Sequence, residues 1–187
     1  GLGADVSLIR RTGRFEPVQG HNALPEEFEQ VSTQPTLIPR PELVLVGDGT
    51  ERSALERRAL ALGIADAVHF VGWRTDIEQL SRAFTVFTMS SHSEGTSVSL
   101  LEAMSLGICP VVTDVGGNAA ALGPTLKHRL VPPSQTDALA GALSNSLLDV
   151  GQRARDGSAA RARIVETFGL DAMVDRYQAL YGQLLQA

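Results

Sequence analysis

An α/β domain built on a doubly wound, Rossmann-like parallel sheet is what this sequence predicts, on three observations. Short apolar runs such as Leu43-Val44-Leu45-Val46 and Ile108 to Val112 are continuous rather than alternating, as in strands buried on both faces. Each is cut off by a glycine turn, Gly47-Asp48-Gly49 or Gly116-Gly117. Helical patterns separate the runs, and that alternation gives parallel strands with helices on both faces.

The elements follow in order. Val6-Ser7-Leu8-Ile9 opens a first strand that ends near the turn Thr12-Gly13-Arg14. Residues 21–34 form a helix with Pro25 in its first turn, where the missing N–H costs little. Pro35, Pro39 and Pro41 make the next stretch a loop, and residues 43–46 form the second strand. Thr50 is placed to cap a helix running to about Leu62, with Gly63 as its stop. Val68-His69-Phe70-Val71 is a third strand ended by Gly72, Asp76 to Ala83 a short helix, and Phe84 to Met89 a fourth strand. Beyond residues 94–104 come a strand at 110–113, the turn Gly116-Gly117 and a strand at Arg129-Leu130-Val131; Pro132-Pro133 then breaks the chain. Ser134 with Asp137 resembles a capping box that opens a helix over 135–148. A helix over 151–166 follows. The last starts at Leu170 and sets Val174, Tyr177, Tyr181 and Leu184 on one face, the pattern of a helix-docking surface. Neither a repeat nor an internal boundary interrupts residues 1–187, which read as one domain.

Composition narrows the function classes. At 187 residues, with 43% apolar and 20% charged residues, the chain can bury a proper core and is not of disordered type. The formal net charge is −5 and no Lys/Arg run stands out, which argues against nucleic acid as the main ligand. The single cysteine, Cys109, cannot form an internal disulfide and fits a reducing, cytoplasmic setting. No apolar run approaches the roughly 20 residues of a membrane span. The chain opens Gly1-Leu2-Gly3 without an initiator Met and is read as a fragment.

The chemistry concentrates in Glu94-Gly95-Thr96-Ser97-Val98-Ser99-Leu100-Leu101-Glu102-Ala103-Met104. Two carboxylates flank seven residues, and small polar residues sit where a helix begins. A helix N-terminus offers unpaired N–H groups and a positive dipole end, which suit phosphate. Acidic residues beside it suit the hydroxyls of a sugar or ribose, so the combination points to a nucleotide-sugar site. At 100° per residue, Val98, Leu100, Leu101, Ala103 and Met104 cover more than half of the helix circumference, leaving a narrow stripe for Ser99 and Glu102. Such a helix is expected to be buried on most sides. Side chains lean towards the helix N-terminus, so Glu102 either reaches a ligand at the turn or is simply solvated.

Several motifs then occur in the order of one family. They run from Thr12-Gly13-Arg14-Phe15 through Leu43-Val44-Leu45-Val46-Gly47-Asp48-Gly49 and Val68-His69-Phe70-Val71-Gly72. They continue with Ser93-Glu94-Gly95, Leu101-Glu102-Ala103-Met104, Gly107-Ile108-Cys109-Pro110-Val111-Val112, Gly116-Gly117 and Leu130-Val131-Pro132-Pro133. On these the sequence resembles the C-terminal, donor-binding half of a retaining glycosyltransferase of the two-domain GT-B fold, in the large group 1 family. The resemblance implies that Glu94 contacts donor sugar hydroxyls near the reacting carbon and that Glu102 binds the nucleotide ribose. It implies that the backbone of Gly95, Thr96, Ser97 and Val98 holds the diphosphate and that Arg14, beside Gly13, neutralises it as it leaves. The turn Gly72-Trp73-Arg74 lies where the family cradles the base. The implied reaction transfers a sugar from a nucleotide donor with retention of configuration, with no metal and no cofactor beyond the donor itself. The implied partners are the nucleotide sugar, an acceptor the sequence does not identify (glycan, lipid or small molecule), and an N-terminal half absent from this chain. Peripheral membrane association through that half is compatible with the resemblance.

Two positions depart from the family pattern. Gln19 stands where a lysine is usual, five residues after Arg14, and Ala120 stands where a glutamate usually follows the second glycine turn. A lost cation removes charge-assisted hydrogen bonds about twice as strong as neutral ones, so Gln19 bears on catalysis more than on binding. Arg10 and Arg11 are the alternative sources of that charge. Two rival readings stay open: a sugar-nucleotide epimerase of the same fold, and a non-catalytic nucleotide-binding module. Other candidates read as structural. Cys109 is a small core residue, His69 a strand residue, and His21 and His128 lack partners at metal-ligand spacing. Asp48 reads equally as a turn residue, Trp73 either stacks on a base or packs at a strand end, and His92 adjoins Glu94.

Overall fold

The apolar runs pair into one sheet. In the computed structural model, which describes residues 6–16 and 23–185, six strands lie parallel: β1 (Leu8–Thr12), β2 (Glu42–Val46), β3 (Val68–Gly72), β4 (Val86–Met89), β5 (Cys109–Thr113) and β6 (Leu130–Val131). Their spatial order is β3-β2-β1-β4-β5-β6. β1 therefore pairs with β2 on one side (Ile9 opposite Leu43) and with β4 on the other (Ile9 opposite Val86). The winding reverses between β1 and β4, and in doubly wound sheets ligands bind at that crevice, beyond the carboxyl ends of the strands.

Helices cover both faces. α1 (Leu24–Ser32), α2 (Arg52–Ala61) and α6 (Thr136–Leu148) bury Leu24, Phe28, Val31, Leu55, Leu139 and Leu143 against Ile9, Leu43, Leu45, Val86 and Val111. The opposite face takes α3 (Ile77–Ser81), α4 (Val98–Ser105), α5 (Asn118–Leu122) and α7 (Val150–Phe168), which meet Phe87, Met89 and Val112 or, at α3, Leu8 and Val44. α8 (Leu170–Leu184) packs along α7 and buries none of its residues. The stripe of Val174, Tyr177, Tyr181 and Leu184 is exposed, together with Met173 and Leu180.

The six strands and the other helices follow in the order read from the sequence, but α5 (Asn118–Leu122), after the turn Gly116-Gly117, is not among the expected elements, and the end details differ. β1 starts at Leu8, α3 spans only Ile77–Ser81 and β4 starts at Val86. Thr50 does not cap α2: its hydroxyl donates to Glu16 Oε2 at 3.1 Å, and the cap position is Glu51. Ser134 does not cap α6 either, because its φ of 59° turns it away; Gln135 holds the cap position, and Asp137 accepts from Gln30 Nε2 at 2.9 Å. At Thr50 a longer-range hydrogen bond takes the hydroxyl that would have capped the helix, and at Ser134 the backbone conformation excludes the cap.

The loops at the carboxyl edge cross at backbone distance. A Cβ on Gly47 would lie 2.1 Å from the carbonyl oxygen of Gly13, and one on Gly116 would lie 1.7 Å from that of Glu94. The Gly117 N–H donates to Gly95 O at 3.0 Å. Positive φ at Gly47 (126°) and Gly116 (52°) adds a second reason for glycine at these crossings.

Candidate functional site

The residues singled out in the sequence gather at the carboxyl edge around the winding reversal. Gly13 and Arg14 follow β1, Gly72 ends β3 with Trp73 and Arg74 after it, and Glu94 to Ser97 lie between β4 and α4. Arg14, Trp73, Arg74, Gly95 and Thr96 are exposed. Gln19 lies outside the described residues, as does His21.

α4 begins where polar groups replace apolar ones. Ser97 is its N-cap, accepting from Leu100 N at 3.4 Å, and its hydroxyl also contacts Met89 Sδ and Ser99 Oγ. The remaining amides of a helix's first turn have no partner within the helix. The helix itself buries only Leu100, Ala103 and Met104. Val98 is 67% exposed, so α4 is covered on one side rather than on most. With no acidic residue in its first turn to neutralise it, the N-terminal end keeps its partial positive charge.

Each glutamate of the pair has a buried arginine behind it. Arg10 and Arg11 are consecutive on β1, so their side chains leave the strand on opposite faces, and both are fully buried. On the α1 side, Arg11 Nη2 donates to Ser91 Oγ at 3.3 Å, and Ser91 Oγ donates to Glu94 Oε1 at 2.7 Å. On the α4 side, Arg10 Nη2 lies 3.8 Å from Glu102 Oε2, whose side chain is 50% exposed. Burial draws the Arg11 guanidinium down to about 10, while Glu94 and Glu27 pull it back. Glu27, in α1, is buried near Arg11 and hydrogen-bonded to Ser90; burial pushes its carboxyl up to about 8. Neither arginine reaches solvent, which corrects the expectation that one of them stands in at an open diphosphate site.

The turn after β3 is open. Trp73 is 68% exposed and so does not pack at the strand end. Arg74 is held by Asp76, with Nε and Nη2 donating to the two carboxylate oxygens at 2.8 and 2.6 Å. His69 pairs with Glu42 at 2.7 Å and His128 with Asp156 at 2.9 Å, while Cys109 is buried with its thiol pushed up to about 11. Asp48 accepts from Gly49 N and Arg52, as a turn residue does. His92 shares only a 3.4 Å contact with Ser134 Oγ. Arg10 and Arg11 are what sequence reasoning undervalued; two charges in the middle of an apolar strand were the available signal. Among the described residues, no group of three His, Cys, Asp or Glu side chains is placed to hold a metal ion. Nor is any described helix long and apolar enough to cross a membrane.

Comparison with known proteins bears on the same elements. The family model described as glycosyl transferases group 1 matches residues 5–163. The lipopolysaccharide core biosynthesis glycosyltransferase LpsE of Rhizobium meliloti is 28% identical over 177 residues, covering 95% of this chain and 50% of LpsE. Among solved structures, sucrose-phosphate synthase from Thermosynechococcus elongatus superposes with a TM-score of 0.84 at 28% identity, covering 99% of this chain and 47% of the synthase. Anabaena HepE, solved with UDP, also gives 0.84, at 24% identity over 98% of this chain and 50% of its own. The chain thus spans about half the length of the relatives it matches. With the glutamate pair, the glycine turns and the reversed sheet all falling inside the matched residues, the chain belongs to the group 1 glycosyl transferases.

Proposed function

We propose that this chain is the donor-binding half of a retaining glycosyltransferase. It binds a nucleoside diphosphate sugar across the carboxyl edge and, with the half of its relatives that it does not span, transfers the sugar to an acceptor. The observation that carries the reading is the placement of Glu94 and Glu102 on either side of the α4 N-terminus, at the winding reversal.

Physical roles follow from that placement. The amides of Gly95 to Val98 and the exposed Arg14 guanidinium meet the diphosphate, whose charge grows as it leaves. Both are fixed donors of positive potential, so no divalent cation is needed. Glu94, anchored through Ser91, faces the sugar where oxocarbenium character develops. Glu102 accepts from the ribose hydroxyls, and the Gly72-Trp73-Arg74 turn receives the base. The relatives' names support transfer, and the UDP in the HepE structure makes UDP the first nucleotide to try. The buried lone Cys109 supports a cytoplasmic setting. Acceptor recognition, and any peripheral attachment to a membrane, belong to the other half, for which the apolar face of α8 is the docking surface.

Titration calorimetry with UDP, GDP and ADP tests the reading. At least one binds, and Glu102→Ala weakens it tenfold or more, as expected for a charge-assisted contact of about 1.5–3 kcal/mol. No heat from any of the three removes the donor site. One observation favours a second reading, a binding module without turnover: Gln19 in the place of the leaving-group lysine. Saturable donor binding without transfer, once the other half is supplied, would decide for the module. The family match gives no support to the epimerase reading.

A further inference from the structure

Arg10 is the most constrained cation beside the site. Its Nε donates to Thr12 Oγ1 and its Nη1 to Ser81 Oγ, both at 2.6 Å. Its guanidinium carbon lies 5.7 Å from the ring centre of Phe84 and 5.8 Å from that of Phe87. The remaining nitrogen, Nη2, is buried and has no hydrogen-bond partner among the described residues. What it faces is Glu102 Oε2, 3.8 Å away.

We propose that Arg10 is a positioning residue for nucleotide recognition: it orients Glu102 towards the ribose, and the Arg10–Glu102 contact tightens when bound nucleotide excludes water from that carboxylate. The proposal rests on the reading of Glu102 as the ribose ligand. Two hydroxyls and two rings hold the guanidinium in place, so Arg10 cannot turn out to a ligand and has to act through Glu102. A carboxylate half in water feels the nearby cation weakly. Once a nucleotide covers it, the lower local dielectric strengthens the same attraction several-fold. A purely structural role fits poorly. A buried donor left without a partner is costly, and an apolar residue would fill this strand position without that cost. Burial draws the Arg10 guanidinium below its usual range and Glu102 counters the shift, in keeping with a pair that is coupled but not closed.

The test is the affinity of UDP relative to 2′,3′-dideoxy-UDP, measured by calorimetry on the wild-type chain and on Arg10→Met, Arg10→Lys, Glu102→Gln and the Arg10→Met/Glu102→Gln double variant. The wild type is expected to prefer UDP about tenfold. Arg10→Met should cut that preference about fivefold and leave the dideoxy affinity unchanged, whereas in the Glu102→Gln background it should change nothing further. Arg10→Lys should retain an intermediate preference, because one ammonium cannot serve Thr12, Ser81 and Glu102 together. It also carries the test if circular dichroism shows Arg10→Met unfolded. An undiminished preference in the Arg10 variants, or an equal loss for both ligands, overturns the proposal. A wild type indifferent to the ribose hydroxyls, or a Glu102→Gln variant that keeps the preference, instead overturns the ribose reading on which it rests.

Discussion

Arg11 and Glu94 meet on opposite sides of one hydroxyl: Ser91 Oγ accepts from the arginine at 3.3 Å and donates to the carboxylate at 2.7 Å. A group buried in the central strand is thereby connected, through one side chain, to the carboxylate proposed to face the reacting sugar. The connection spans 80 positions of sequence between Arg11 and Ser91.

Replacing Ser91 by Ala should therefore act on the sugar rather than on the nucleotide. A lost hydrogen bond of about 0.5–1.5 kcal/mol predicts a two- to tenfold weaker affinity for the nucleotide sugar that binds, with affinity for its nucleoside diphosphate alone unchanged. Parallel calorimetric titrations of the two ligands check it. Equal affinities in variant and wild type would mean that Ser91 does not control Glu94.

Glu27 predicts a pH dependence of stability. Its folded carboxyl titrates near 8 against an ordinary value of 4.5, because burial outweighs the pull of Arg11. Between those values the folded chain holds a proton that the unfolded chain has released. Stability therefore falls as pH rises through this window, and the loss is complete above about pH 8. Glu27→Gln has no proton to lose and should be more stable than the wild type at pH 8, by about 2–4 kcal/mol, with the difference vanishing near pH 4. Urea unfolding from pH 4 to pH 9 measures it. A constant difference across the range would show that Glu27 does not titrate there.

Donor binding should be indifferent to chelation. The expected counter-charges are Arg14 and the α4 amides, and EDTA should leave UDP affinity unchanged within twofold. Affinity lost to EDTA and restored by magnesium or manganese would contradict the proposed charge balance.

On its own the chain should bind donor without transferring sugar. The exposed Met173, Val174, Tyr177, Leu180, Tyr181 and Leu184 of α8 form the expected seat for the other half, and a cleft must hold acceptor as well as donor. Adding that half should produce transfer or tighter donor binding. Efficient turnover by this chain alone would place the acceptor site here instead.

The sheet could be read from the sequence because its strands are short, continuous apolar runs punctuated by glycines, and parallel pairing leaves few other arrangements for them. The edge of the site could be read for the same reason: Gly13, Trp73, Glu94 and Gly116 all follow strands. Helix caps were misplaced at Thr50 and Ser134 because their polar groups were assigned local partners. The support beneath the site was harder to see. Arg10 and Arg11 look like surface residues by type, and what makes them tolerable inside lies far along the chain: Ser81 and Glu102 on one face, Glu27 and Ser91 on the other. Sequence spacing carries no trace of such pairings. Two charges in the strand flanked by both β2 and β4 were the one local sign of them.

The backbone crossings of Gly47 on Gly13 and of Gly116 on Glu94 also bear on how such a protein can change its donor. Loops interlocked at the main chain cannot be exchanged one at a time, since a foreign loop after β4 meets the native one after β5 with no side chain free to yield. A recombined enzyme must take the β4 and β5 loops as one block, and the β1 and β2 loops as another. The turn after β3 is tied in by one backbone bond, Gly47 N–H to Gly72 O at 2.9 Å, and Gly72 is held to glycine by its φ of 69°, but Trp73 and Arg74 beyond it are exposed. Side-chain changes at positions 73 and 74 therefore leave both crossings untouched, whereas a change of loop after β1, β2, β4 or β5 does not.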